Sequence, residues 1–458
     1  MITVLRQWPL LLASAVALVN MEQIGAVLGW SSPALTIIGS PIKITESELS
    51  WIATITTFVA AFCSPLPFIT LLLFGRKVSI AINALPFLIS WIMIASATTA
   101  TELIVARGIV GVSMAYTYTV IPIYLGEIAT DEIRGGIGLS MNVLTNVGIM
   151  FIYGIGTLPD LWLSSLLSAL PLILIIVFYV WLPESPYYLI GKGKREEALK
   201  QLRKLRNNEN VEDEFKKMEE IDQSESNCDY GFRKLFQKSS NRKALAIVLG
   251  VNSCLHFSGA MTLVYFAHTI FEKAGNANPD NMALIKAALQ LITSIGAAYV
   301  VDRLGKRPLL IMSSIGAAIF MFVEAIYFHL MDSGHNVDGI WWLPLAGMIL
   351  FNMSQSIGLA AVPLAYLGEL FHPEVKNLAV CICKTYDALA VFLVGQLTLF
   401  LWDNYGSSIP FYFFGSMSVL GLIFIIFFAP ETKGKSLADI QYYLIHNKYR
   451  DDLIDYMS

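Results

Sequence analysis

Charged residues are scarce in this chain of 458 residues, since Asp, Glu, Lys and Arg together make up only 14% of it. A soluble domain normally carries about 25% charged residues, because its surface must face water. Hydrophobic residues make up 55% of the chain. This balance excludes an ordinary soluble protein and indicates that most of the surface faces lipid.

The sequence also lacks the motifs of catalysis and of metal binding. It contains no Walker loop, no HExxH motif and no ATP-binding domain, so we expect neither an enzyme nor a primary pump. The five cysteines do not form a disulfide framework and do not have metal-ligand spacing. We therefore expect no catalytic residues, no metal and no cofactor. The small net charge of -4 gives no reason to expect nucleic acid as a partner.

What the sequence does contain is a series of apolar runs of roughly 20 residues, enough to cross a ~30 Å hydrocarbon core as a helix. Lipid cannot satisfy an open backbone, so these runs must be helical. Thr45 and Glu48 are predicted to form a capping box before the second span. The predicted spans are Pro9–Trp30, Leu49–Leu73, Val78–Ala97, Glu102–Leu125, Gly135–Leu158, Leu161–Leu182, Ala244–Ile270, Met282–Val301, Pro308–Leu330, Trp341–Leu367, Leu378–Leu401 and Ile409–Ala429.

The spans fall into two groups of six, which predicts an all-α membrane protein of twelve transmembrane helices in two six-helix halves. The predicted division is residues 1–182 for the N-terminal half, 183–240 for a linker with short amphipathic helices, 241–436 for the C-terminal half and 437–458 for a tail. An internal repeat supports it, since Tyr124-Leu-Gly-Glu127 is echoed by Tyr366-Leu-Gly-Glu369. Paired halves are the architecture of alternating-access carriers.

Basic residues are concentrated on one side of the predicted membrane. Arg76 and Lys77 follow the second span, Lys306 and Arg307 follow the eighth, and Lys433 follows the last. Cytoplasmic loops carry an excess of Lys and Arg. The charge pattern therefore predicts that both termini and the linker at residues 183–240 are cytoplasmic.

Six motifs lie along the chain, each at the expected helix end: Gly29-Trp-Ser-Ser-Pro33, Arg107-Gly, Pro183-Glu-Ser-Pro186, Phe271-Glu-Lys-Ala-Gly275, Asp302-Arg-Leu-Gly-Lys-Arg-Pro-Leu-Leu310 and Pro430-Glu-Thr-Lys-Gly-Lys-Ser436. Together they resemble those of the sugar porter family of the major facilitator superfamily, and the likeness covers nearly the whole chain. Within that family, the first motif resembles that of the insect facilitated trehalose transporters.

The resemblance implies two sets of gating salt bridges at the cytoplasmic helix ends. A gate needs interactions that hold in one state and release in the other, and a half-desolvated charge is costly to leave unpaired. The alternative is that the same residues only cap helices and orient the chain. The implied sets are Glu127, Arg134 and Glu184 in the first half and Arg307, Glu369 and Glu431 in the second.

The resemblance also implies a sugar site, because a sugar needs hydrogen-bonding side chains and an aromatic ring to replace its water. His256 is interpreted as a hydrogen-bonding residue, with packing or proton relay as alternatives. Asp387 lies three residues after Lys384, so a structural pair, a substrate contact and a titrating group all stay open. The implied substrate-binding residues are Asn142, His256, Tyr265, Gln290 and Asp387.

Some family positions are changed in this chain. The amide-rich motif of span seven is Leu255-His-Phe-Ser-Gly-Ala-Met261, and the stacking Trp of span ten is missing from Ala360-Ala-Val-Pro-Leu364. Arg107 matches the span-four Arg that proton symporters pair with a span-one Asp, but Ser31 occupies that place. The absence of a carboxylate there favours facilitated diffusion over symport.

These features together predict facilitated uniport of a sugar, either trehalose or a hexose such as glucose, by alternating access. The alternatives are a non-transporting sugar sensor and a proton-coupled carrier of another small polar solute. We expect a multi-pass protein of the plasma membrane, with a small-molecule sugar and the lipid bilayer as its partners.

Overall fold

The predicted spans fold as α-helices in a computed structural model of the chain. The structure describes residues 8–38, 42, 44–130, 133–156, 158, 160–208, 210–226, 232–275, 278–301, 305–371, 373–433, 435 and 437–446. Within these ranges it contains helices, turns and no strand. Nine helices of the described chain are long and apolar enough to cross a membrane, and Ser47–Cys63 is a shorter apolar helix.

The chain divides into two compact units, the first of which is Met1–Cys228. Six elements carry its apolar residues, and three short helices follow in the polar linker, after a 3-10 turn at Tyr179–Trp181. The helices are α1 (Trp8–Ile38), α2 (Glu46–Cys63), α3 (Leu66–Ser96), α4 (Ala100–Ile128), α5 (Arg134–Ile155), α6 (Leu161–Phe178), α7 (Pro186–Gly191), α8 (Arg195–Arg206) and α9 (Glu212–Ser226).

The second unit is Asp229–Ser458. Its apolar spans seven and ten are each divided into shorter helices, whereas the other spans are single helices. The helices are α10 (Phe232–Gln237), α11 (Ser239–His256), α12 (Thr262–Tyr265), α13 (Ala267–Lys273), α14 (Pro279–Val301), α15 (Lys306–Asp332), α16 (Leu343–Ile357), α17 (Val362–Glu369), α18 (Pro373–Tyr405), α19 (Ile409–Phe428) and α20 (Leu437–His446).

The capping box predicted before the second span is confirmed. The Thr45 hydroxyl accepts a hydrogen bond from the Glu48 amide at 3.3 Å, and the Glu48 carboxylate accepts one from the Thr45 amide at 2.9 Å. The two bonds satisfy donors that a helix start leaves open. A second capping box of the same kind, at Thr99 and Glu102, starts α4.

Close packing inside the first unit depends on glycine. A Cβ at Gly25 of α1 would lie 1.9 Å from the Thr145 carbonyl oxygen of α5, and a Cβ at Gly148 would lie 1.9 Å from the Glu22 carbonyl oxygen. Small residues let membrane helices approach to backbone contact, where lipid gives no hydrophobic drive. Helices α1 and α5 therefore form a tight pair that larger residues at these positions would separate.

The structure differs from the predicted boundaries within span two. Spans two and three meet in the predicted gap, residues 74–77, at a kink inside α3 at Gly75, where φ is 86° and ψ is -177°. Span two itself is interrupted before Leu66, where Pro65 precedes α3 and cannot donate to a continuous helix. One glycine can thus change the chain direction between two spans, and a hydropathy pattern does not reveal such a kink.

Spans seven and ten are broken at the places where the altered family motifs lie. The break in span seven includes Gly259 at φ 86°, and the break in span ten includes Gly358, whose Cβ would lie 2.2 Å from the Leu309 carbonyl oxygen. The Gln355 side-chain amide donates to the Ser258 hydroxyl at 2.7 Å and so joins the two breaks. Non-helical backbone at membrane depth is tolerated where protein groups satisfy it.

Candidate functional sites in the two units

After the kink at Gly75, two main-chain amides bind a carboxylate. The Arg76 amide donates to Glu184 at 2.9 Å, and the Lys77 amide donates to the same carboxylate at 3.2 Å. These amides begin the helical run after the kink, where the helix dipole favours negative charge. Burial raises the pKa of Glu184, while the amide donors and the nearby Arg76 charge act to lower it. We call Gly75, Arg76 and Glu184 the first clamp.

An ion pair lies beside the first clamp. The Arg76 guanidinium donates to both oxygens of Glu127, with Nε–Oε2 at 2.8 Å and Nη2–Oε1 at 2.6 Å. The Tyr124 hydroxyl, one turn earlier on α4, donates to the Pro183 carbonyl at 3.0 Å. Two-pronged Arg–carboxylate pairs are among the stronger and more directional polar contacts. The kink of α3, the end of α4 and the segment after α6 are thus joined by polar bonds.

The second unit repeats this construction residue for residue. The Lys306 and Arg307 amides both donate to Glu431 at 3.1 Å. Lys306 pairs through its ammonium group with Glu369. The Tyr366 hydroxyl donates to the Pro430 carbonyl at 2.6 Å. A Cβ at Gly305 would lie 2.4 Å from Glu431 Oε2, so glycine is needed here as it is at Gly75. We call Gly305, Lys306 and Glu431 the second clamp.

The geometry shows which residues the sequence-based gating sets missed. Arg76 and Lys306 are the side-chain partners of Glu127 and Glu369, and neither was among the predicted gating residues. Arg307 donates through Nη2 to the Ile426 carbonyl at 2.6 Å, and the side chain of Arg134 lies outside the described residues. The Gly-basic-basic repeat at 75–77 and 305–307 was the signal that could have found both partners.

A first prediction concerns the ion pair of Glu127. The Glu127→Gln variant is expected to open the cytoplasmic side more often, because a half-buried pair worth about 1 kcal/mol shifts a two-state equilibrium by roughly fivefold. The measurement is the cytoplasmic labelling rate of an introduced cysteine, Asn142→Cys, which should rise. Glu212→Gln, which breaks an Arg–Glu pair in the linker at 2.8 Å, is the matched control. Equal labelling rates in all three proteins would reject a gating role.

A second polar group lies inside the second unit and joins spans seven and eleven. His256 Nε2 lies 3.2 Å from Asp387 Oδ1, and the Lys384 ammonium donates to Asp387 Oδ2 at 3.1 Å. The carboxylate thus contacts one cationic partner and one imidazole at once. Ionisable side chains at membrane depth are costly and mark functional positions. We call Lys384, Asp387 and His256 the ionic cluster.

The ionic cluster sits next to the break in span seven. His256 is the last residue of α11 and is 6% exposed. Its Nδ1 has no hydrogen-bond partner among the described residues. One turn earlier, the hydroxyls of Ser253 and Tyr386 lie 2.6 Å apart, so α11 and α18 share two polar contacts. The cluster therefore holds a buried ring nitrogen that no described group bonds.

The remaining predicted sugar residues lie on three different helices. Tyr265 is 1% exposed on α12, and its ring lies edge-on to Phe266 with centroids 6.3 Å apart. Gln290 is half-buried on α14, where its main-chain carbonyl accepts a hydrogen bond from the Thr293 hydroxyl at 3.0 Å. Asn142 is exposed on α5 of the first unit and accepts a hydrogen bond from Asn146. Only His256 and Asp387 of this set are shown in direct contact.

Arg107 is fully buried in the first unit. It donates to the Val27 carbonyl at 2.8 Å, to the Ile52 carbonyl at 3.2 Å and to the Ser31 hydroxyl at 3.2 Å. Its guanidinium carbon also lies 5.0 Å from the centroid of the Trp30 ring. The span-one side chain that Arg107 contacts at position 31 is therefore a hydroxyl and not a carboxylate.

Two helical units with repeated motifs at their helix ends define a polytopic membrane carrier. A family model described as "Sugar (and other) transporter" matches residues 20–444, and the chain belongs to this family. The family consists of transporters and not of enzymes. The chain is accordingly a multi-pass membrane protein.

Curated relatives cover nearly the whole chain. "Facilitated trehalose transporter Tret1" of Polypedilum vanderplanki is 31% identical over 444 residues, which is 94% of this chain and 87% of that protein. The protein of the same name from Bombyx mori is 30% identical over 442 residues, or 95% and 86% of the two chains. The chain spans about half the length of other relatives, such as 55% of the Aedes aegypti protein, to which it is 29% identical over 445 residues.

Solved structures show the same fold. The inward-open xylose transporter XylE from E. coli has a TM-score of 0.79 and 21% identity, covering 94% of this chain and 98% of that one. The proton:xylose symporter XylE bound to 6-bromo-6-deoxy-D-glucose has a TM-score of 0.77 and 21% identity, covering 95% and 99%. The predicted all-α fold of the major facilitator superfamily is thereby confirmed.

Proposed function

We propose that this chain is a passive carrier of a small polyhydroxylated solute, trehalose or a hexose such as glucose, working by alternating access. Its membership of the sugar transporter family and its 30–31% identity to facilitated trehalose transporters support the substrate class. The observation that carries the passive mode is the contact between Arg107 and the Ser31 hydroxyl. With a hydroxyl in place of a carboxylate, position 31 has no group that binds and releases a proton beside Arg107.

In this proposal the ionic cluster supplies sugar contacts from the second unit. Asp387 accepts from sugar hydroxyls, and the buried Nδ1 of His256 bonds another hydroxyl. Such contacts replace the water that a sugar hydroxyl loses. Asn142, Tyr265 and Gln290 are proposed as further contacts on the basis of the family resemblance.

The two clamps and their neighbouring ion pairs are proposed to hold the cytoplasmic helix ends of each unit in one state. In the first unit these are Glu127 and Glu184, which Arg76 joins, together with Arg134, which the family resemblance adds. In the second unit they are Arg307, Glu369 and Glu431, joined by Lys306. Charge-assisted bonds in a half-buried setting suit this role, because breaking them exposes unpaired charge.

We further propose that the protein lies in the plasma membrane with both termini in the cytoplasm. The excess of basic residues after even-numbered spans supports this orientation. It also supports residues 183–240 as a cytoplasmic linker between a half at 1–182 and a half at 241–436, with a cytoplasmic tail at 437–458. Helices α7, α8 and α9 lie within that linker segment.

The direct test is uptake of labelled trehalose and glucose by oocytes that express the chain, with and without a proton gradient. We expect saturable uptake that does not respond to the gradient, because no carboxylate contacts Arg107 from position 31. Accumulation that depends on the gradient would contradict the passive mode and leave the family assignment intact.

A prediction for the same site is that Ser31→Asp makes uptake depend on external pH or stops it. An aspartate at this position would face the Arg107 guanidinium and form a buried ion pair that protonation breaks. The Ser31→Asn variant introduces a side chain of the same size as Asp but without its charge, so it should keep the pH profile of wild type. If the two variants have the same pH profile, position 31 does not set the coupling mode.

A second candidate function is a sugar receptor that binds without transporting. The altered motifs at 255–261 and 360–364, which remove two amides and the stacking Trp, are the observation that favours it. The two functions separate when binding and flux are measured on the same purified protein. Saturable binding with no flux in proteoliposomes supports the receptor, and flux supports the carrier.

A further inference from the structure

The first unit contains an apolar cavity at the end of α6. Its volume is about 270 Å³, and nine of its ten lining residues are apolar. Trp8, Leu12 and Val16 of α1 form one wall, and Phe178 and Trp181 form another. An apolar cavity of this kind does not hold ordered water well, because water needs polar partners. Its natural occupant is therefore hydrocarbon.

Among the residues that the structure describes, the one charged residue that lines this cavity is Lys204, on helix α8 of the linker. The Lys204 ammonium donates to the Trp181 carbonyl at 3.2 Å. Lys77 donates to the preceding carbonyl, that of Val180, at 3.3 Å, and lies 4.9 Å from the centroid of the Tyr179 ring. Two cations thus bond adjacent carbonyls of one short turn, whose last residue, Trp181, lines the cavity.

The neighbouring acidic residues do not neutralise the positive charges of these two lysines. Arg203 and Arg206 of the same helical turn pair with Glu212 and Glu214, at 2.8 Å and 2.7 Å. Glu184 also acts on Lys77, but its carboxylate accepts from main-chain amides in the first clamp. Among the described residues the ammonium groups of Lys77 and Lys204 form no ion pair with a carboxylate within 4 Å, although the Lys77 main-chain amide bonds Glu184. The mouth of the cavity therefore has a positive charge that an anion would balance.

The position along the chain adds a third observation. Trp8 and Trp181 are 59% and 58% exposed, at the ends of two membrane helices. Exposed tryptophans at helix ends are typical of the membrane interface, where headgroups meet hydrocarbon. The cytoplasmic leaflet carries anionic lipids, and each Lys near its surface attracts them.

We propose that this cavity is a binding site for an anionic phospholipid, with part of an acyl chain between α1 and α6 and the phosphate between Lys77 and Lys204. The site ties the linker helix α8 to the turn after α6 through the lipid headgroup. It shares no residue with the ionic cluster or with the contacts of Arg107, so it is independent of which solute is carried.

The test is lipid binding by the purified full-length protein in detergent, measured by native mass spectrometry and by the shift of the melting temperature. The probes are phosphatidylglycerol and phosphatidylcholine with the same acyl chains. We expect phosphatidylglycerol to bind more tightly and to raise the melting temperature more. In the Lys77→Gln/Lys204→Gln double variant this preference should fall by about thirtyfold in affinity, from two lost Lys contacts.

The controls decide between a lipid and a free anion. Lys216→Gln removes an exposed lysine from α9 and should keep the preference of wild type. Leu12→Phe fills the cavity and should weaken lipid binding. Soluble glycerol 3-phosphate should not shift the melting temperature of any of these proteins. Equal binding of the two lipids, or a preference retained in the double variant, overturns the proposal. A shift with glycerol 3-phosphate that equals the lipid shift also overturns it, in favour of a plain phosphate site.

Discussion

Gly75→Ala is expected to lower the stability of the folded protein by about 3 kcal/mol or more, the largest effect of any single substitution considered. Its backbone is at φ 86° and ψ -177°, a region that only glycine occupies without strain of roughly 1–3 kcal/mol. A Cβ there would also lie 2.5 Å from Glu184 Oε2. Moving this carboxylate leaves amide donors unpaired, at about 1–3 kcal/mol more. The measurement is the melting temperature in detergent, together with surface expression.

Two other glycines separate the two causes. Gly193→Ala introduces a Cβ at positive φ, 74°, with no atom within 4 Å, so it tests backbone strain alone. Gly305→Ala introduces a Cβ 2.4 Å from Glu431 at an ordinary φ of -69°, so it tests the crowding of a carboxylate alone. We expect Gly75→Ala to be worse than either. A Gly75→Ala melting temperature no lower than that of Gly193→Ala would mean that Glu184 does not need the space.

Asp387→Asn is expected to reduce kcat/KM for sugar uptake by about tenfold. The substitution keeps the size of the side chain and removes the charge that holds Lys384 and His256, and charge-assisted bonds exceed neutral ones by about 1–2 kcal/mol. The loss leaves Lys384 as an uncompensated cation beside the proposed sugar contacts. Initial rates of trehalose and glucose uptake over a range of concentrations measure the effect.

The control for this prediction is on the same helix. Asp403→Asn changes an exposed aspartate near the end of α18 and should leave uptake unchanged. Adding Lys384→Met to Asp387→Asn should recover part of the loss, because it removes the unpaired cation. Uptake kinetics of Asp387→Asn equal to wild type for both sugars would remove Asp387 from the proposed site.

Sequence reasoning predicted the fold well because apolar runs and motif order carry it. A run of about 20 apolar residues has only one structure available in lipid, a helix. The repeat of Tyr124-Leu-Gly-Glu127 at Tyr366-Leu-Gly-Glu369 predicted that corresponding helix ends would be built alike. In the structure Tyr124 donates to the Pro183 carbonyl and Tyr366 donates to the Pro430 carbonyl. Each of these prolines directly precedes the glutamate of a clamp.

The partners within each site were harder to predict, because they depend on backbone direction. The sequence-based gating set grouped Glu127 with Arg134 and omitted Arg76, which the structure pairs with Glu127. The kink at Gly75 decides this pairing, since it turns Arg76 toward α4. Lys384 and Asp387 are three apart on one helix, so their contact follows from helical spacing, whereas the approach of His256 from α11 required the tertiary structure.

The clamp carboxylates bind main-chain amides, and this has a consequence for how such a carrier can evolve. Glu184 bonds the amides of Arg76 and Lys77, and Glu431 bonds those of Lys306 and Arg307, so none of these bonds depends on which side chain the donor residue carries. Only the glycine and the glutamate are constrained. The basic positions are then free to change the strength of the ion pairs to Glu127 and Glu369 without losing the shape of the bend.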